Sequence, residues 1–258
     1  MEQIVSFFTR FRNWNVRLSD ATTPTLLWET RGFALYSLLA RAELGLPENK
    51  TVADLGGGRT WQFGETYHSK PGFRLIGVDV SGDELALNKH LDKAIVADIC
   101  QTLGAGDEQL DLILSRATVE HLHDTSGFLR AAYGSLRPDG KMGVLFAAKW
   151  SIPAMLNRII PERIAIKLLE ALVPNSKGYQ GFKAYYDKCG NGEFQAAARS
   201  AGFTVLGNYP NYYASSYFQF FLPLHMLSIL HDLLRTVLSI KALTAMNLFV
   251  LQKPNEGA

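Results

Sequence analysis

Several features that would narrow the class of this protein are scarce or missing. There are two cysteines in 258 residues. Cys100 and Cys189 form no Cys-x-x-Cys or Cys/His spacing, which argues against a disulfide framework and a structural zinc site and fits a reducing cytoplasm. Net charge is low, at +2, and no dense Lys/Arg stretch is interleaved with aromatics, so nucleic acid is excluded as a substrate. No apolar run reaches the roughly 20 residues that a spanning helix needs. At the N-terminus, Glu2, Arg10 and Arg12 come before any long apolar core, which is not the order of a signal peptide.

The remaining composition is globular, with 47% hydrophobic and 19% charged residues. A chain of this length buries one substantial core. We read residues 1–258 as a single domain, with N-terminal helices over 1–48 and cap insertions at about 149–192 and 209–245. Ile4, Val5, Phe7, Phe8 and Phe11, set among Arg10, Arg12 and Arg17, predict a short amphipathic helix. A second helical pattern runs from Thr25 to Leu39 and ends near Gly45 and Pro47. Within it, Arg31 faces either the ligand end of the sheet or solvent.

The chain is organised around Thr51-Val52-Ala53-Asp54-Leu55-Gly56-Gly57-Gly58, an apolar run closed by an acid and three glycines. It predicts a buried strand stopping in a turn, either a tight surface turn or one that cradles a nucleotide-like ligand at a helix mouth. A helix is expected around Trp61 to Tyr67, then strand Phe73 to Asp79, helix Gly82 to Leu91 and strand Ala94 to Ala97, followed by Asp98. Strand Leu110 to Ser115, helix Phe128 to Leu136, turn Arg137 to Gly140 and strand Met142 to Ala147 complete the alternation. Such alternation predicts a parallel sheet with helices on both faces. Asp79 suits ribose hydroxyls or a helix N-cap, a role for which Ser81 and Asp83 are equally fitted. A dinucleotide fold wants Gly-x-Gly-x-x-Gly, and the third glycine position is Trp61.

With Asp54, Asp79 and Asp98 each closing a strand region, roughly residues 50–150 resemble the class I S-adenosylmethionine-dependent methyltransferases. The glycine motif is Asp54 to Gly58, the ribose acid Asp79, and the adenine-side pair Asp98 and Ile99. Ser115 to Asp124 is similar to the fourth motif of that family, and Leu136 to Lys141 to the turn before its fifth strand. Ala201-Gly202-Phe203 before strand Thr204 to Gly207, and Asn247 to Gln252, resemble the approach to its sixth strand and its antiparallel seventh.

The resemblance implies an α/β, Rossmann-like seven-stranded sheet, six strands parallel and one antiparallel, with helical insertions after strands five and six. It implies S-adenosyl-L-methionine as cofactor, held by Asp54, Gly56, Gly57, Gly58, Asp79, Val80, Asp98, Ile99, Ser115 and Arg116. Glu120, His121 and His123, just beyond the fourth strand, are the candidate catalytic residues, a histidine being able to take a hydroxyl proton near neutral pH. They could equally anchor the following segment by hydrogen bonds. Quinone-biosynthesis O-methyltransferases carry a similar Glu-His pair preceded by a further Glu as metal ligands. Here that earlier position is Ala117, so no required metal is expected.

Lys149 to Gly192 carries Arg158, Arg163, Lys167, Lys177, Lys183 and Lys188 against Glu162, Glu170 and Asp187, which is either a positive cap for a phosphate or anionic surface or a solvated face. Residues 217–230 are apolar but too short to span. They form an interfacial helix, a lid, a dimer contact or ordinary core. The expected function is methyl transfer, most often to oxygen, on a hydrophobic or lipid-linked acceptor, in the cytoplasm or at the inner membrane surface. The alternatives are a small-molecule methyltransferase with an apolar lid, a nucleotide-binding oxidoreductase and a non-catalytic cofactor binder.

Overall fold

The protein is described by a computed structural model covering residues 2–29, 32–46, 50–68, 70–106, 109–159 and 183–255. Seven strands form one sheet in the order β3-β2-β1-β4-β5-β7-β6. They are β1 (Lys50–Leu55), β2 (Phe73–Asp79), β3 (Lys93–Val96), β4 (Leu110–Arg116), β5 (Leu136–Ala147), β6 (Thr204–Asn211) and β7 (Met246–Gln252). β1 lies parallel between β2, with Leu55 opposite Val78, and β4, with Leu55 opposite Ser115. β7 runs antiparallel between β5 and β6, so the expected sheet of six parallel strands and one antiparallel strand is the one observed. Strand order reverses at β1 and β4, where open α/β sheets place their ligand crevice.

Both sheet faces are covered because side chains alternate along each strand. Ala53, Leu55, Ile76, Val78 and Ile113 pack with Phe128, Phe146, Phe194 and Phe249 on one side. Val52, Leu75, Leu112 and Leu114 pack with Tyr36, Leu44, Trp61 and Phe63 on the other. The N-terminal helix is long, α1 (Glu2–Thr22), and the helix expected from Thr25 is described as α2 (Thr25–Glu29) and α3 (Gly32–Leu44) on either side of residues 30–31. Arg31 lies outside the described residues.

Between β1 and β2 stands α4 (Gly64–Tyr67), and after β2 stands α5 (Gly82–Ala86). The expected helix to Leu91 stops early because Asn88 turns its polar side chain on the backbone. Its amide donates to the Gly58 carbonyl at 3.3 Å, and its oxygen accepts from the His90 N–H at 3.2 Å, a local arrangement that competes with helix. After β4 come a 3₁₀ turn (Val119–His121) and α6 (Thr125–Ser135), the latter capped by Asp124, which accepts from the Gly127 N–H at 2.9 Å. The expected turn at Arg137–Gly140 lies inside β5 as an irregularity: Leu110 faces Leu136 while Leu112 faces Lys141, and Asp139 has φ 63°.

Beyond β5 are α7 (Ile152–Ile159) and α8 (Asn191–Ser200). Residues 160–182 are not described, so Arg163, Lys167 and Lys177 of the expected positive cap, with Glu162 and Glu170, lie outside the described residues. β6 is longer than expected, and a 3₁₀ turn (Ser215–Phe218) and α9 (Leu222–Leu238) lead from it towards β7. Among the described residues no helix is long and apolar enough to cross a membrane.

Candidate functional site

The carboxyl ends of β1, β2 and β4 open on a cavity of about 450 Å³, within the range of small-molecule sites. Its floor is the glycine turn. Gly56 has φ +70°, its N–H donates to the Val78 carbonyl at 2.8 Å, and a Cβ there would stand 2.4 Å from the Thr118 side chain. A Cβ on Gly57 would lie 1.7 Å from a carboxylate oxygen of Asp54. Both positions therefore need glycine, one for backbone conformation and one for space.

Asp54 is nearly buried, at 7% exposure. Burial pushes its carboxyl up to about 7, against the pull of the Arg116 guanidinium and with the push of the Asp79 charge. A buried carboxylate without a full counter-charge suits a ligand that brings a cation. Asp54, Gly57 and Gly58 do not line the cavity, whereas Asp79 and Val80 do, and one Asp79 oxygen accepts from the Ser81 N–H at 2.9 Å. The helix cap is Ser81 instead, whose hydroxyl accepts from the Glu84 N–H at 3.3 Å. Asp98 and Ile99 line the far end, where Asp98 also accepts from the Cys100 N–H at 2.9 Å.

Ser115 and Arg116 stand apart from these residues. The Ser115 hydroxyl is fully buried and donates to the Leu55 carbonyl at 3.2 Å. Arg116 donates to the Gln62 side-chain oxygen and lies 5.8 Å over the Phe33 ring. Neither lines the cavity. Thr118, within the segment similar to the fourth motif, lines it, as do Cys100, Lys183 and Tyr185, which no sequence motif marks.

A second cavity, of about 330 Å³, lies on the other side of the segment after β4. Phe33, Glu120, Ser151, Asn211, Tyr213 and Tyr217 are among its walls, drawn from α3, β5, β6 and the insertion before α9. Ala117 lines both cavities. It has φ 56°, and its N–H is held by the Leu145 carbonyl at 2.8 Å. No sequence pattern signals this second chamber.

The 3₁₀ turn sends Glu120 and His121 to different chambers. His121 and His123 line the first cavity. His121 Nδ1 lies 3.3 Å from the Lys183 carbonyl oxygen, and the His123 ring meets Tyr185 edge-on at 6.3 Å. Glu120 lines the second cavity. Its side chain is buried, one carboxyl oxygen has no hydrogen-bond partner, and burial pushes its carboxyl up to about 7. Ligand atoms of Asp98, Cys100 and His123 lie within 4.8 Å of one another, but the three belong to the wall of the first cavity.

Residues 53–144 match the model of a methyltransferase domain family. No curated protein matches the chain. Among solved structures, the cyclopropane synthase MmaA2 from Mycobacterium tuberculosis is similar, with TM-score 0.51, 18% identity, and 86% of this chain and 84% of that one covered. The geranyl diphosphate C-methyltransferase from Streptomyces coelicolor A3(2), solved with Mg2+, geranyl diphosphate and S-adenosyl-L-homocysteine, gives 0.54 at 12% identity over 85% and 80% of the two chains. The phosphoethanolamine N-methyltransferase 2 from Haemonchus contortus, solved with S-adenosyl-L-methionine, gives 0.52 at 14% identity and is covered over 53% of its length by 87% of this chain. At these identities the likeness is one of fold.

Proposed function

We propose that this chain, whose residues 53–144 match a methyltransferase domain family, is a class I S-adenosylmethionine-dependent methyltransferase that methylates an oxygen on a hydrophobic or lipid-linked acceptor. The observation that carries the reading is the pair of chambers meeting at Ala117, with one carboxyl oxygen of Glu120 lacking a hydrogen-bond partner in the second.

The residues of the first chamber fit the cofactor. Asp79 offers carboxylate oxygens to ribose hydroxyls, Asp98 accepts from the adenine amine, Ile99 packs on the ring, and the glycine turn lets backbone approach closely. Asp54 matches the positive charge. When bound, S-adenosylmethionine supplies a methyl group on a sulfonium, which needs no covalent protein nucleophile. The chain contributes alignment of the acceptor and exclusion of water. Glu120, ionised, takes the proton of the acceptor hydroxyl as its oxygen attacks, and a carboxyl near 7 is matched to that task at neutral pH. His121 and His123 shape the cofactor chamber. Arg116 acts on the charge of Asp54 from behind, and Ser115 ties β4 to β1.

The aromatic part of the second chamber's wall supports a hydrophobic substrate, with Tyr213 and Tyr217 of the insertion lining it together with Phe33. A lipid-linked acceptor would be met at the inner membrane surface from the cytoplasmic side. The reading requires no metal, since Ala117 stands where a third ligand would be needed. The test is to incubate cell extracts with methyl-labelled cofactor, with and without a chelator. Label on an oxygen in the lipid fraction, unaffected by the chelator, supports the reading. Label confined to water-soluble material, or carried on carbon or nitrogen, overturns the acceptor class. Activity lost to the chelator and restored by magnesium overturns the metal-free part.

A further inference from the structure

In an ordinary surface helix the apolar stripe faces the core and the polar residues face water. α9 is arranged the other way round. His225, Ser228, Asp232 and Arg235 are buried, while Leu227, Leu230, Leu234, Val237 and Leu238 are 64, 56, 53, 76 and 63% exposed. The inward polar residues fix this orientation. His225 Nε2 lies 3.1 Å from the Ser19 carbonyl oxygen and 3.1 Å from the Thr23 hydroxyl, with its Nδ1 3.0 Å from the Ser215 carbonyl oxygen. Asp232 accepts from the N–H groups of Ala214 and Ser215 at 2.8 and 2.9 Å and pairs with Arg235. Arg235 donates to the carbonyls of Tyr212 and Leu243 at 2.8 and 2.7 Å. Turning the leucine row inward would break these bonds and expose nothing better, so the row is held out by design of the contacts beneath it.

α1 extends the same surface. Asn15 accepts from the Leu222 N–H at 2.8 Å, joining α1 to the start of α9. On α1, Phe11, one turn before Asn15, and Trp14, next to it, are 43 and 58% exposed, and Phe221 at the junction is 44% exposed. Around this apolar surface cationic side chains outnumber the one exposed acid with a described side chain, Asp20. Arg10 and Arg17 on α1 and Lys241 beyond α9 are exposed and form no ion pair with a described residue. Of the acids whose side chains are described on the two helices, Asp232 is buried, and Asp20 is exposed and accepts from the Gln219 amide at 2.7 Å. An apolar centre with a cationic rim matches a bilayer that has anionic headgroups.

We propose that α1 and α9 together dock flat on an anionic phospholipid bilayer, with the row from Phe221 to Leu238 and the pair Phe11 and Trp14 entering the boundary between headgroups and acyl chains. The contact is displaced from residues 217–230, since His225, Ser228 and Ile229 within that stretch are buried. Docking brings Tyr217, 65% exposed at the wall of the second chamber, to the membrane side. That purpose rests on the lipid-linked reading above, whereas the surface itself does not.

The test is co-sedimentation of the full chain, without cofactor or acceptor, with vesicles of phosphatidylcholine alone or mixed equally with phosphatidylglycerol. The wild type binds the mixed vesicles, and binding weakens in high salt. Leu230→Asp with Leu234→Asp lowers binding about ten-fold or more. Arg10→Gln with Arg17→Gln lowers it about five-fold per charge on the mixed vesicles only. Brominated lipid quenches the wild-type tryptophan fluorescence, and Trp14→Phe removes most of that quenching, a readout that needs no disruptive variant. A wild type that ignores both vesicles overturns the proposal. So does a stable dimer in lipid-free solution that Leu230→Asp with Leu234→Asp converts to monomer, which would give the face to a second copy of the chain. Vesicle binding together with label only in water-soluble acceptors would end the lipid-linked reading and leave the surface standing. Lipid labelled in detergent by a protein that does not bind vesicles would do the reverse.

Discussion

Replacing Glu120 by glutamine separates its charge from its shape. The carboxyl stands at about 7 rather than 4.5 because burial penalises the ionised form. At 1.36 kcal/mol per pH unit, the rise corresponds to about 3 kcal/mol. Below about pH 4.5 the group is protonated in both the folded and the unfolded chain and contributes no pH dependence. Between there and about 7 the unfolded chain releases the proton and the folded chain keeps it, so stability is lost as pH rises through that window. Above it the loss is complete. Glutamine does not titrate, and any cost of its own buried amide is the same at every pH. Urea unfolding of wild type and Glu120→Gln at about pH 4 and pH 8 gives four stabilities. The variant should gain about 3 kcal/mol on the wild type between the two pH values. Asp54 shifts in the same direction in both proteins and cancels. A double difference under about 1 kcal/mol would refute the assignment of a raised carboxyl to Glu120. On a hydroxyl acceptor the variant should also lose about 10² or more in kcat, together with the ascending limb of the pH–rate profile near 7.

Three further outcomes are expected. Gly56→Ala places a Cβ 2.4 Å from the Thr118 side chain at φ +70°; it should cost about 1 to 3 kcal/mol of stability and abolish cofactor binding by calorimetry, and unchanged affinity would remove the turn from the site. Ionised Asp54 attracts the cationic cofactor, so affinity should rise with pH through about 7 in the wild type and stay flat in Asp54→Asn; a pH slope that survives in the variant would assign it to another group. Asp232→Ala strands the guanidinium of Arg235, which is 3% exposed, and should cost about 3 to 5 kcal/mol in thermal or urea unfolding. A loss below about 1 kcal/mol would mean that the insertion is held by its apolar contacts instead.

The sheet was legible because strand-forming runs are short, apolar and punctuated. Phe73 to Asp79 begins after Gly72 and ends at an acid, and the observed β2 has the same limits. The helix after it was overestimated because Asn88 reads as a tolerated helical residue until its amide is seen to reach Gly58, 30 positions away. β6 was underestimated because Pro210 suggests an end, yet an edge strand accommodates proline and β6 is at the edge. Asp79 and Asp98 could be read as neighbours because they stand at the carboxyl ends of adjacent parallel strands and so line one cavity, whereas Asp54, inside β1, does not line it. The neighbours Glu120 and His121 were not separable, because which side each takes depends on the 3₁₀ turn and on Ala117 entering it with positive φ. The second chamber was equally invisible, its walls coming from five stretches between Gly32 and Met246 that only the folded sheet brings together.

That difference in assembly has a consequence for how such a protein can diverge. Both cavities are walled by five stretches of chain, but all of the first except Lys183 and Tyr185 falls between Gly56 and His123, whereas four of the five stretches of the second lie outside that span and the two share only Ala117 among the described residues. Exchanging the segment between β6 and β7 would therefore re-specify the chemistry served without rewriting the reagent used. Among the described residues, 117 is the one position where a change must satisfy both cavities.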